Sequence, residues 1–388
     1  MAEILVDISQ FVEFPARSGI QRVVSKLLVA WGEDRLFRWV RFDPAARRFI
    51  QIPPRMLDLL RHELFLADDV SGEIGKRLTL ELASQPGWPV EVSDSQIVFV
   101  PEVFYSQERV KFYRELREAR RIRDAYLVFD FMPWLKPSHF AIAKGFGPAS
   151  MPYIQLLHEA HLRLFISRNT REEYVNRVRR AAAASQDAVV RLGADGLGGA
   201  RQAFSTDRKR VCCVGAFDGK KGQDLVYDAF NDVETDLELH FAGKLLPSMI
   251  EKYRRIVETT NTKVWVHDDL SDSALVELVS GARASIFVSE NEGFGLPALE
   301  SLFIGVPLIA SASLPALEDV PEYGQIQLGA VNKATVAGAF HRIADDQEAR
   351  RLAAEIALLG LPTWTDFAAN CRGRLLSLMH GASYTPAL

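Results

Sequence analysis

The sequence predicts an α/β protein in two halves, each an open parallel sheet covered by helices. Three observations predict it. Short apolar and β-branched runs alternate with helical periodicities along all 388 residues, as parallel strands joined through helices do. A chain of this length is ordinarily shared between two domains of roughly 100 to 200 residues each. Near the middle, the glycine-rich polar stretch ADGLGGARQAFSTDRK breaks the alternation, which places a joint at about residues 193–209.

In the first half, EILVDIS reads as a strand and IQRVVSKLLVAW as the helix after it. Further strands are predicted at QIVFVP, AYLVFD and LRLFIS, with helices over about 107–123 and 170–184. The second half repeats the scheme, with strands at RVCCVGAF, LELHFAG, KVWVHD, ASIFVS and PLIAS, each followed by a helix-like segment. Open sheets of this kind take their ligands beyond the carboxyl ends of the strands.

Composition narrows the function classes. Hydrophobic residues make up 48% and charged residues 25%, ordinary values for a soluble globular chain. A net charge of -4 argues against a dedicated nucleic-acid binder. The charge is uneven: residues 1–200 carry 28 Lys and Arg against 25 Asp and Glu, residues 201–388 carry 18 against 25, as if the halves face different partners. Cys212, Cys213 and Cys371 leave an odd count, two of them adjacent in an apolar run, so a reducing cytoplasm fits better than a disulfide framework. MAEILVDIS lacks the basic start and apolar core of a signal peptide, and no apolar run reaches the ~18 residues of a membrane span. Peripheral contact with a membrane surface stays open.

The most informative stretch is SENEGFGLPALE, Ser289 to Glu300, directly after the strand ASIFVS. Gly293 and Gly295 permit close approach of a ligand to the main chain, and Pro297 suits the first turn of the helix that follows. A helix N-terminus offers unpaired N–H groups and partial positive charge to a phosphate. Glu292 before the turn and Glu300 within the helix then accept hydrogen bonds from hydroxyls on either side of that phosphate. A hydroxyl-bearing group, a diphosphate and a second hydroxyl-bearing group describe a nucleotide sugar. The competing reading is a glycine-rich turn with solvated glutamates.

This stretch resembles the nucleotide-sugar signature of the retaining glycosyltransferases of family 4, with its Glu-x7-Glu motif in an EGFGLP setting. VCCVGAFDGKKGQDLVYDAF resembles the family's first strand and basic loop of the second domain, and VWVHDDLSDSALVELVSGARASIFV the segment before the signature. Near the start, DISQFVEFPARSGIQRVVSKLL resembles the Gly loop and first helix of a bacterial surface-polysaccharide branch, and YLVFDFMPWLKPSHF its Asp-x-x-Pro segment. The resemblance implies the GT-B fold: Rossmann-like domains over residues 1–200 and 201–365 facing a central cleft, and a C-terminal helix, 366–388, returning to the first.

By resemblance, Glu292 holds donor-sugar hydroxyls and Glu300 the nucleotide ribose, while the N–H groups of Phe294, Gly295 and Leu296 meet the sugar and diphosphate. Lys220 and Lys221 neutralise the leaving diphosphate, with Lys221 the inward-facing residue; a solvated turn is the alternative for this pair. Gly19 approaches the diphosphate across the cleft, or is simply a glycine before a helix. Asp130 sits near the acceptor, or caps a helix. Two departures stand out: Phe129 where the family often has histidine, and Ala216 after Gly215 where it has arginine, with Lys220 the nearest substitute.

No convincing DxD-like pair is present, so no metal or other cofactor is implied beyond the nucleoside-diphosphate sugar itself. His158 and His161 lack nearby ligand partners and read as helix surface or satisfied core. The implied activity is transfer, with retention, of a sugar to a hydroxyl of a glycan or lipid-linked oligosaccharide on the first domain, in surface-polysaccharide or lipopolysaccharide synthesis. The segment ERVKFYRELREARRIRD carries Arg109, Lys111, Arg114, Arg117, Arg120, Arg121 and Arg123, which suit either an anionic lipid surface or a solvated helix face. A sugar-nucleotide epimerase, a phosphorylase or a non-catalytic nucleotide-sugar binder are the alternatives.

Overall fold

The structure is a computed structural model that describes residues 3–15, 18–63, 87–120, 122–135, 146–179, 187–198, 201–245, 247–268, 270–289 and 291–381. Arg121, residues 136–140 of the Asp-x-x-Pro segment, and the helix predicted beyond residue 179 lie outside the described residues. The chain forms two compact units, Met1–Leu192 with Trp364–Leu388, and Gly193–Thr363.

The first unit holds strands β1 (Ile4–Asp7), β2 (Phe37–Asp43), β3 (Arg48–Gln51), β4 (Trp88–Val90), β5 (Ile97–Val100), β6 (Arg123–Val128), β7 (Leu162–Phe165) and β8 (Asp187–Val189). They form one sheet in the order β4-β3-β2-β1-β5-β6-β7-β8, parallel from β2 to β8, with β3 and β4 pairing antiparallel at the edge. The helix Gly19–Trp31 begins at Ser18, whose Oγ accepts the Gln21 N–H in a capping box. It buries Val23, Val24, Leu27, Leu28 and Trp31, one apolar stripe at helical spacing. The last helix, Trp364–His380, packs against it. Arg372 Nε donates to Asp34 Oδ2 at 3.2 Å, and Arg123 donates to the Leu378 carbonyl.

The second unit holds β9 (Arg210–Val214), β10 (Glu238–Ala242), β11 (Val264–His267), β12 (Ala284–Phe287), β13 (Leu308–Ser311) and β14 (Gln325–Leu328). The order is β11-β10-β9-β12-β13-β14, every pair parallel. This is the 3-2-1-4-5-6 order of a Rossmann domain, whose winding reverses between β9 and β12. The predicted joint is no free tether. Arg201 donates to the Phe303 carbonyl at 3.0 Å, Gln202 to Ser280 Oγ at 3.2 Å and Arg208 to the Ala282 carbonyl at 3.2 Å, so long polar side chains fasten this segment to the second unit. Among the described residues, no helix is long and apolar enough to cross a membrane.

Candidate active site

At the reversal point, β9 lies directly beside β12, so the loops leaving their carboxyl ends meet. The first loop turns at Gly215, with φ of +142°. A Cβ there would stand 3.1 Å from Lys221 Cδ, so the glycine leaves room for the lysine stem to pass over the strand end. Lys221 Nζ reaches Glu292 Oε1 at 2.8 Å and lies 5.1 Å from the centre of the Phe287 ring. Their side chains are 18% and 11% exposed, a shielded pair rather than a surface one. Lys220, expected to be the less inward of the two lysines, is equally shielded at 10%, with Asp218 Oδ2 3.9 Å away.

The second loop carries the signature. Gly295 has φ of +104°, and a Cβ would meet Leu314 Cδ1 at 2.7 Å, so backbone and packing both demand glycine. It caps the helix Leu296–Phe303, with Pro297 in the first turn. Ser301 Oγ ties that helix to β12, lying 2.8 Å from Ser285 Oγ and 2.8 Å from the Pro297 carbonyl. Phe294 is buried, and its carbonyl accepts the Ala316 N–H at 2.8 Å. The N–H groups of Phe294, Gly295 and Leu296 open the helix, where such groups lack intrahelical acceptors. Glu300 is buried in the second turn. The structure thus brings Lys220, Lys221, Glu292, Phe294, Gly295, Leu296 and Glu300 to one end of one sheet.

Gly19 and Asp130, the two residues predicted outside the second unit, lie in the first. Gly19 is the first residue of its helix, and a Cβ would meet nothing within 4 Å, so packing inside the unit does not require glycine. Asp130 Oδ1 accepts the Met132 N–H at 3.1 Å, a local turn two residues long that leads into the helix Met132–Leu135. Burial, and then the charge of Asp130, push the Tyr105 phenol up to about 12.

Among the described residues, three arginines of the basic helix are engaged by carboxylates. Arg109 is buried, its Nε 3.0 Å from Asp7 Oδ2 and its terminal nitrogen 2.8 Å from Glu102 Oε1. Arg117 pairs with Asp124 and Glu159, and Arg114 with Glu159. Sequence reasoning missed the cluster of Asp7, Glu102, Arg109 and Tyr113 at the carboxyl ends of β1 and β5. Glu102 accepts the N–H groups of Gln10 and Phe11 at 2.7 and 3.0 Å. Burial pushes its carboxyl up to about 7, against the opposing charge of Arg109. The one available signal was Asp7 at a strand's carboxyl end. Cys212, Cys213 and Cys371 are free and buried, and burial pushes the first two thiols up to about 12. Among the described residues, no cluster of three or more His, Cys, Asp or Glu is placed to hold a metal ion.

Residues 200–358 match the family model of the glycosyl transferases group 1. The match takes in the whole Lys221–Glu292 region. A serotype-specific mannosyltransferase of Escherichia coli, WbdA, is 31% identical over 119 residues, 29% of this chain and 14% of the relative. The chain therefore aligns with about one seventh of that protein. Among solved structures, HepE of Anabaena, in complex with UDP and glucose, superposes with a TM-score of 0.67 at 14% identity, covering 97% of this chain and 100% of that one. Sucrose-phosphate synthase of Thermosynechococcus elongatus gives 0.65 at 18%, covering 99% and 100%. The lipopolysaccharide outer core galactosyltransferase WaaB gives 0.56 at 14%, covering 97% and 99%. At these identities the likeness shows the fold, and the expected GT-B architecture of two Rossmann-like domains is borne out.

Proposed function

We propose that this protein is a retaining glycosyltransferase of the family 4 type. It moves a sugar from a nucleoside-diphosphate sugar to a hydroxyl of a glycan or lipid-linked acceptor in surface-polysaccharide or lipopolysaccharide synthesis. The observation that carries the reading is the Lys221–Glu292 pair at the reversal point of the second sheet, beside a helix N-terminus reached through Gly295. A shielded cation, a helix N-terminus and a carboxylate in one place suit a diphosphate joined to a hydroxylated ring. The match of residues 200–358 and the UDP named for the HepE complex support it.

In this reading Lys221, with Lys220 beside it, takes up the charge that grows on the diphosphate as the glycosidic bond lengthens. The open N–H groups at the start of the Leu296–Phe303 helix share that charge. Glu292 holds donor-sugar hydroxyls and Glu300 the ribose. No side chain serves as a covalent nucleophile: the acceptor hydroxyl enters on the face the diphosphate leaves, and the departing phosphate oxygen takes its proton. Catalysis is then positional and electrostatic. The resemblance assigns Gly19 to the diphosphate and Asp130 to the acceptor, and the proposal keeps both. The reaction belongs in the cytoplasm, with the lipid-linked acceptor met at the membrane surface, and it runs without a metal.

The test is a thermal-shift screen with GDP-, UDP-, ADP- and TDP-sugars, since a bound donor stabilises the folded state by mass action. NMR of the product made from the selected donor then reads the anomeric configuration. One donor stabilising the protein and a product of retained configuration are expected. Inverted product, or donor conversion to an epimer without an acceptor, contradicts the proposal.

A further inference from the structure

One hydroxyl lies where the lysine loop and the signature loop of the second unit meet. Ser289, two residues past β12, is buried. Its Oγ is 2.8 Å from Glu292 Oε1, 3.1 Å from the Lys220 carbonyl and 3.4 Å from the Asn291 carbonyl. A serine hydroxyl has a single proton to donate. Of the three acceptors, the carboxylate is both nearest and charged, and hydrogen bonds to ionised groups are the stronger ones. Lys221 Nζ reaches the same Oε1, also at 2.8 Å. Both donors therefore converge on one oxygen of Glu292, and Oε2 meets no donor among the described residues.

That convergence matters because Lys221 has a second demand on it. Its ammonium pairs with Glu292, and in the proposed reaction the same ammonium must serve the leaving diphosphate. As the cation turns to phosphate, Ser289 is the donor that keeps Glu292 in place. We infer that Ser289 is a positioning residue: it holds Glu292 through Oε1, leaving Oε2 to the donor-sugar hydroxyls, and keeps that arrangement while Lys221 is engaged by the diphosphate. The inference rests on the functional reading above.

A merely structural serine would tie the two loops together and act independently of Glu292. A double-mutant cycle separates the two cases, because residues acting through one another are not additive. The cycle comprises wild type, Ser289→Ala, Glu292→Gln and the double variant, assayed with UDP-glucose and GDP-mannose as donors. Ser289→Ala is expected to lower kcat by about 10- to 100-fold, the effect of one hydrogen bond to a charged group, with donor KM changing less. In the Glu292→Gln background the same change should cost under about 3-fold, the tolerance of an independent pair. Where Glu292→Gln turns over too slowly, the cycle is read in donor Kd by calorimetry. Ser289→Cys, similar in shape with a weak donor, should show the same loss and decides the matter if the alanine variant does not fold. Equal losses in both backgrounds, or a folded Ser289→Ala at wild-type kcat, overturn the inference. If Glu292→Gln itself leaves kcat and donor Kd unchanged, the functional reading falls and Ser289 loses this role with it.

Discussion

Replacing Lys221 with alanine removes the ammonium 2.8 Å from Glu292 Oε1, in a pair whose side chains are only 18% and 11% exposed. At that exposure solvent and salt screen the charge far less than they screen a surface pair. Two losses should follow. Glu292 keeps the Ser289 hydroxyl but loses its cation, at a cost of about 1 to 3 kcal/mol in stability, the range for a shielded group deprived of a partner. Catalysis loses one preorganised charge where the leaving diphosphate develops its own, a fall in kcat of about 100- to 1,000-fold, or about 3 to 4 kcal/mol. Differential scanning fluorimetry reads the first and initial rates of nucleoside-diphosphate release the second, at a temperature where the variant remains folded. A Lys221→Ala protein that is folded and turns over within about 3-fold of wild type would refute the reasoning, because one removed charge-stabilising donor costs about 100-fold or more.

The two signature glutamates should separate kinetically: Glu292→Gln lowers kcat, while Glu300→Gln chiefly raises donor KM, as measured by initial rates over donor concentration. Gly295→Ala combines a left-handed backbone with a 2.7 Å approach to Leu314 and should lower the urea midpoint by the equivalent of about 1 to 3 kcal/mol. Asp124 gives a pH prediction: burial would raise its carboxyl, but the His161 ring and the Arg117 guanidinium outweigh burial and hold it below its ordinary 3.8. Its stabilisation is therefore fully present above the unfolded value and is lost as pH falls through the lower folded value, so urea midpoints taken downward from about pH 5 should drop more steeply for wild type than for Asp124→Asn. Turnover should survive EDTA, since the proposed counter-charges are lysines and a helix N-terminus; loss of activity restored by Mg²⁺ or Mn²⁺ would move the chemistry to a metal.

What the sequence showed of this site was its local geometry. The turn around Gly295 was legible because a positive φ, a proline in the first helical turn and an apolar run after it each leave a mark within a few residues. The pairing of Lys221 with Glu292 was not, because 71 positions separate them and only the placing of β9 beside β12 brings them together. The second unit's strands were read well, since buried parallel strands such as Val211 to Cys213 are continuously apolar. In the first unit β2 escaped notice because Arg38 and Arg41 interrupt its apolar residues; β3 (RFIQ), β4 (WPV) and, in the second unit, β14 (QIQL) are likewise broken by polar residues or proline. Arg109 counted as one charge of a basic helix. Its partners Asp7 and Glu102 lie on other elements, and helical periodicity carries no information about them. Ser289 opens the signature stretch, but a hydroxyl's partners depend on where the loop carries it.

The most direct measurement of the central claim is isothermal titration calorimetry of wild type and Glu292→Gln, each titrated with the donor selected by the screen and with its nucleoside diphosphate alone. If Glu292 holds the sugar while Lys221 and the helix N-terminus hold the diphosphate, wild type binds the sugar nucleotide tighter than the bare diphosphate. Glu292→Gln should lose that increment and keep the diphosphate affinity. Equal affinities of the two proteins for both ligands would contradict the account.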